Sequence, residues 1–205
     1  CSPPIVSDSL IPVLIWISLG FILAASDVRV AEAAKRGDAA AVRSLLVAKA
    51  DVNGAAADGT TALHWATRNE DVALVKALLA AGAKAGAVNR YGVAPLSLAC
   101  ENGDAALVDL LLTAGADANT KLPGGETALM TAARAGRVEA VRKLVAKGAV
   151  VDAKEEKRGQ TALFQAAAEG HAAVIEELIR AGADFKIRIA SGWTPLLIAA
   201  REGRT

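Results

Sequence analysis

Five glycines, Gly59, Gly92, Gly125, Gly159 and Gly192, recur at spacings of 33, 33, 34 and 33 residues, and this period constrains the fold more than any other feature. Four positions after each comes a leucine: Leu63, Leu96, Leu129, Leu163 and Leu196. Three further on stand Ala66, Ala99, Ala132, Ala166 and Ala199. A second glycine register runs Gly37, Glu70, Gly103, Gly136, Gly170 and Gly203, with Glu70 as its one departure. Apolar pairs form another: Leu45-Leu46, Leu78-Leu79, Leu111-Leu112, Leu144-Val145 and Leu178-Ile179. Gly82-Ala83, Gly115-Ala116, Gly148-Ala149 and Gly182-Ala183 close the units. A unit this short cannot bury an apolar face alone, so the units must stack on one another.

Each unit reads as a helix, a turn and a second helix. Gly59 supplies a turn that tolerates positive φ, and Thr61 is placed to cap the helix that follows. Pro95 and Pro195 fall in the first turn of that helix, where a missing N–H costs nothing. The second glycine register ends it. A second helix, for example Val72 to Ala80, carries Val75, Leu78 and Leu79 on one side at helical spacing. The one-residue insertion behind the 34-residue step falls in the charged loop Lys154-Glu155-Glu156-Lys157-Arg158, expected to project into solvent.

Composition agrees: apolar residues make up 53% but aromatics only 3%, which suits closely packed Ala, Leu and Val helices. The 23 Lys and Arg nearly balance 22 Asp and Glu, so no large basic field argues for nucleic acid. Cys1 and Cys100 form neither a disulfide framework nor a zinc site. Cys100 falls at a small-residue position of a first helix and reads as a buried thiol. His64 and His171, the only histidines, fall on scaffold positions. Pro123-Gly124-Gly125 follows no strand and precedes no phosphate-loop Lys, so it reads as a hairpin turn. No constellation of catalytic residues emerges, and the chain is expected not to be an enzyme and to need no cofactor, metal or small-molecule substrate.

The segments Gly192-Trp-Thr-Pro-Leu-Leu-Ile-Ala-Ala-Arg-Glu-Gly203 and Gly59-Thr-Thr-Ala-Leu-His-Trp-Ala66 resemble the first-helix motif of the ankyrin repeat. The resemblance spans Asp27 to Thr205 and implies an all-α ankyrin-repeat solenoid. It divides into about five full repeats, the first resembling an N-terminal cap, and the first helix of a sixth. That last helix lacks a following partner, so apolar surface is expected on it and the chain reads as a C-terminally truncated fragment. Only the second repeat has His after the motif Leu, as His64; the others carry Ser97, Met130, Phe164 and Leu197. The Thr–His hydrogen-bonded belt of typical ankyrin repeats is therefore expected to be mostly missing.

Residues 1–26 are a separate element. The 18 residues between Asp8 and Asp27 carry no charge, and Leu10 to Ala25 is almost continuously apolar. Ala24-Ala25-Ser26 supplies small residues ahead of a cut before Asp27, as in a cleaved signal peptide. An uncleaved signal anchor is the alternative. Either places residues 27–205 outside the cytoplasm, periplasmic or secreted in the first case and membrane-anchored in the second. With its Ala-rich repeats, the chain resembles an exported bacterial member of the family.

The resemblance further implies a protein partner, bound by the hairpin tips and the concave side of the first helices. Carried over by register, the second repeat offers Asp58, Thr60, Arg68 and Asn69, and the third Arg90, Tyr91, Val93, Glu101 and Asn102. The fourth offers Glu126 and Arg134, the fifth Lys157, Arg158, Gln160 and Glu169, and the sixth Trp193 and Arg201. Tyr91 and Trp193 are the expected anchors, since aromatic side chains dominate interface energies. The alternatives are a docking module for an enzyme domain beyond Thr205, a membrane-anchored adaptor, or an inhibitor of a co-exported enzyme.

Overall fold

The computed structural model describes residues 27–204, and the segment expected to be a signal or anchor, residues 1–26, lies outside them. Eleven helices form among the described residues. They are α1 (Arg29–Lys35), α2 (Ala39–Val47), α3 (Ala62–Arg68), α4 (Val72–Ala80), α5 (Pro95–Asn102) and α6 (Ala105–Thr113), then α7 (Ala128–Arg134), α8 (Val138–Ala146), α9 (Ala162–Glu169), α10 (Ala172–Arg180) and α11 (Pro195–Arg201). Each odd-numbered helix packs on the next odd one, from α1 to α11, and α4, α6, α8 and α10 pack likewise into a second layer. Each even helix also packs on the odd helix before it. The result is the two-layered stack that the period predicts.

Local chemistry sets the helix boundaries. Asp38, Asp71 and Asp104 accept from the N–H groups of Ala41, Leu74 and Leu107 at the starts of α2, α4 and α6. Thr127, Thr161 and Thr194 cap α7, α9 and α11 by accepting from Met130, Phe164 and Leu197 N–H. Thr61 departs from that pattern: its Oγ1 lies 2.8 Å from His64 Nδ1, which itself accepts from Thr61 N–H at 3.1 Å. At the other ends, the Gly82 and Ala83 N–H groups donate to the Leu79 and Leu78 carbonyls, and Gly82 has φ +89°. This pairing explains why Gly-Ala follows the second helices.

Burial follows the registers. Leu63, Leu96, Leu129 and Leu163 are 1% exposed, and Leu78, Leu111, Leu144 and Leu178 are fully buried. Ala66, Ala99, Ala132 and Ala166 are fully buried between successive first helices, where a larger side chain would push the layers apart. The sixth repeat breaks the rule: Leu196, in the same register as those first-helix leucines, is 77% exposed, and Leu197 and Phe185 are exposed near it. The expected apolar surface on α11 is therefore present.

Candidate functional site

Between each second helix and the next first helix the chain makes a short hairpin, and these tips line one side of the stack. Each tip closes with two backbone bonds. One runs from Ala56 N–H to Thr60, Asn89 to Val93, Leu122 to Glu126, Glu155 to Gln160 and Ile189 to Trp193, at 2.7–3.0 Å. The other runs from the tip glycine N–H back to Ala56, Asn89, Leu122, Glu155 or Ile189, at 2.8–3.2 Å. Neighbouring tips are joined edge to edge. Arg90 N–H donates to the Asp58 carbonyl at 2.7 Å, Glu156 N–H to Gly124 at 2.8 Å and Ala190 N–H to Arg158 at 3.0 Å. Between the third and fourth repeats the donating position is Pro123, which has no N–H to give. Its ring instead packs on Gly92, whose φ is +74° and where a Cβ would stand 2.3 Å from Pro123 Cδ.

The inserted residue lies in the tip of the fifth repeat, as expected, and most of that loop is exposed. Glu155 is the exception. Partial burial raises its carboxyl, but backbone N–H donors including Gln160, Lys157 and Arg158 outweigh this and hold it below its usual range. Its side chain organises the loop instead of projecting from it.

The residues chosen by register divide into three groups. Arg68, Arg90, Tyr91, Glu101, Arg134, Lys157, Arg158, Glu169 and Arg201 are exposed, and Asp58, Val93, Gln160 and Trp193 are half-buried along the tips. Several of the set also fasten the scaffold. Asn69 Nδ2 donates to the Ala34 carbonyl of the preceding repeat, and Asn102 Nδ2 to those of Thr67 and Arg68. Glu126 accepts from Arg134 Nη2 at 3.0 Å and from Thr131 Oγ1 at 3.2 Å. Thr60 corrects the expectation of a presented tip residue. It is only 7% exposed because the next tip covers it, with Asn89 Nδ2 donating to its hydroxyl.

Three clefts bring predicted residues together. One of about 220 Å³, between the fourth and fifth repeats, has Glu126, Lys157, Arg158 and Gln160 around it. The other two have an aromatic wall. One of about 260 Å³ lies between the second and third repeats, with Asp58, Arg68, Tyr91 and Val93 around it. The other, of about 400 Å³, lies between the fifth and sixth, with Arg158, Gln160, Trp193 and Arg201. In each of these two a guanidinium stacks on an indole: Arg68 Cζ is 5.9 Å from the Trp65 ring centre, and Arg201 Cζ is 5.4 Å from that of Trp193. Lys35 Nζ, from the first repeat, also lies 5.6 Å from the Trp65 ring. Trp65 was missed by the choice of sites at tips and helix ends. Its position three residues before Arg68 on a helix, hence on the same side, was the available signal.

The two histidines join repeats. His64 Nε2 lies 3.0 Å from the Val93 carbonyl and so carries the proton, leaving Nδ1 as the acceptor already described. Burial lowers its pKa, keeping the ring neutral. His171 Nε2 reaches the Arg134 carbonyl at 2.9 Å. Burial pushes the Cys100 thiol up to about 12, so it is un-ionised and poorly nucleophilic at neutral pH. Among the described residues no group of three or more His, Cys, Asp or Glu is placed to hold a metal, and no helix is long and apolar enough to cross a membrane.

The family profile described as ankyrin repeats, in three copies, matches residues 30–122, 96–189 and 129–205. The chain belongs to the ankyrin-repeat family. Members of this family are in general protein–protein interaction modules and are typically non-catalytic. No curated protein matches the chain.

Proposed function

We propose that this chain binds a protein partner through its hairpin tips and the adjoining ends of its first helices, and performs no chemistry of its own. The observation that carries this reading is a contrast between registers. The buried Leu and Ala positions repeat almost unchanged, whereas the position before each tip glycine runs Asp58, Tyr91, Gly124, Arg158 and Ser191. The position nine residues after that glycine runs Arg68, Glu101, Arg134, Ala168 and Arg201. A constant scaffold with a varied face is how one repeat architecture serves different partners.

Face-directed photo-crosslinking tests the reading. A benzophenone amino acid at Tyr91 should give a discrete protein adduct in extracts of the source cells. The same group at Val150, exposed between the fourth repeat's second helix and the tip of the fifth repeat, should not. Equal adducts from both positions, or none from Tyr91, would overturn it. The uncharged stretch between Asp8 and Asp27 supports a place for the array outside the cytoplasm. A mature chain starting at Asp27 would fit a cleaved signal and one retained in the membrane fraction an anchor, while an uncleaved cytoplasmic chain would contradict both.

A further inference from the structure

The cleft between the second and third repeats is walled by aromatic rings and apolar side chains, with cations around it. Trp65, half-buried on α3, faces it together with Val93 and Leu98, and Tyr91, 63% exposed, stands at the adjoining tip. Lys35 and Arg68 both lie over the Trp65 ring. Arg90, beside Tyr91, gives one N–H to the Ala57 carbonyl of the neighbouring tip. No ion pair among the described residues involves Lys35, Arg68 or Arg90, whereas Arg134, in the same register as Arg68 two repeats on, is paired with Glu126. The one carboxylate lining the cleft, Asp58, is turned back on its own tip, accepting from Thr60 N–H at 2.9 Å. Thr60's backbone N–H and hydroxyl hold that carboxyl below its usual range, so it stays charged while facing its own backbone.

Resting on the protein-binding reading above, we infer that this cleft takes an apolar side chain of an acidic peptide segment, whose flanking carboxylates are held by Lys35, Arg68 and Arg90. The balanced charge of the whole chain hides this local excess. A volume of about 260 Å³ accommodates one large aliphatic or aromatic side chain, and Lys35, Arg68 and Arg90, none of them in an ion pair among the described residues, attract carboxylates on either side of it. Trp65 contributes twice, as an apolar wall and as the surface that holds the Lys35 and Arg68 side chains in place. An aromatic anchor ringed by charge is also the arrangement that concentrates binding energy in few residues.

The test is selection from a displayed random dodecapeptide library against the full chain. Expected are peptides with one Leu, Phe or Trp flanked by Asp or Glu. Anisotropy of a labelled selected peptide should then show affinity falling about ten-fold or more in Lys35→Glu/Arg68→Glu, since two attractive charges become repulsive. Raising the salt to about 1 M should weaken it as well, because screening then acts within about 3 Å. Both residues are exposed, so circular dichroism of the variant should be unchanged. Lys147→Glu, in the turn after α8, should leave affinity as it was. Neutral or basic selected peptides, or binding indifferent to the charge reversal, would overturn this inference while leaving peptide recognition by the tips intact. Failure to enrich any sequence also counts against it, and the crosslinking pattern then decides the broader reading separately.

Discussion

In the second repeat Thr61 and His64 bind each other, and His64 reaches across to the Val93 carbonyl of the third. In the third repeat the same two places hold Ala94 and Ser97. Ala94 gives α5 no side-chain cap, and the buried Ser97 Oγ has no hydrogen-bond partner. The apolar layer nevertheless runs through both repeats unaltered, with Leu63 and Leu96 each 1% exposed. The two helix pairs occupy equivalent positions in the stack. Apolar registers therefore define the architecture, and polar links between repeats adjust its strength locally. The second repeat has its own defect: Glu70 sits at φ +57° where the third has Gly103 at +84°.

The largest expected effect tests the shared layer. Leu63→Ala and Leu96→Ala should each lower stability by about 2–5 kcal/mol in urea unfolding, and by similar amounts. A much smaller cost in the third repeat would show that its packing, and not only its polar links, is looser. Next comes His64→Ser, which gives the second repeat the third's residue. It leaves the Thr61 N–H without its acceptor, removes the bond to Val93, and should cost about 1–3 kcal/mol.

The same variant carries a pH signature. Burial holds His64 below its ordinary value of 6.5, so the unfolded chain takes up this proton more readily than the folded one. The folded state's advantage is fully present above pH 6.5 and declines as pH falls from there toward the depressed native value. Unfolding free energy measured across that window should slope in the parent and flatten in His64→Ser. The smallest effect lies at Glu70→Gly, which relieves a left-handed backbone and should raise stability by about 0.5–1 kcal/mol. A loss instead would mean that the Glu70 side chain contributes something its exposed position does not explain.

These features were unequally legible in the sequence. The period and its registers suffice for the stack, for α4 at Val72–Ala80 and for the burial of Cys100, because each follows from residues within one unit or from its translation. The site depends on what the neighbouring unit does, which a register does not record. Thr60 belongs to a tip by position and is covered by Asn89 of the next one. Trp65 lies in the middle of a scaffold motif, and only its contacts with Lys35 and Arg68 mark it as part of a cleft. The break in the tip ladder follows from proline chemistry at Pro123, but only once the pairing of Arg90 with Asp58 shows which N–H is needed. Glu155 looked like one charge in a solvated run because its acceptor role depends on the loop closing around it.

The claim beneath all of this is that successive repeats are interchangeable copies of one stacking unit. Its most direct test is urea unfolding of the Ala94→Thr/Ser97→His variant, which moves the second repeat's polar pair into the third. Met130 and Phe164 in the same register are buried, so a large side chain fits there, and the Glu126 carbonyl stands where Val93 stands for His64. The stack predicts a gain of about 1–2 kcal/mol from the new cap and cross-repeat bond. A loss of stability with unchanged cooperativity would show that the third repeat is not equivalent to the second, and would contradict it.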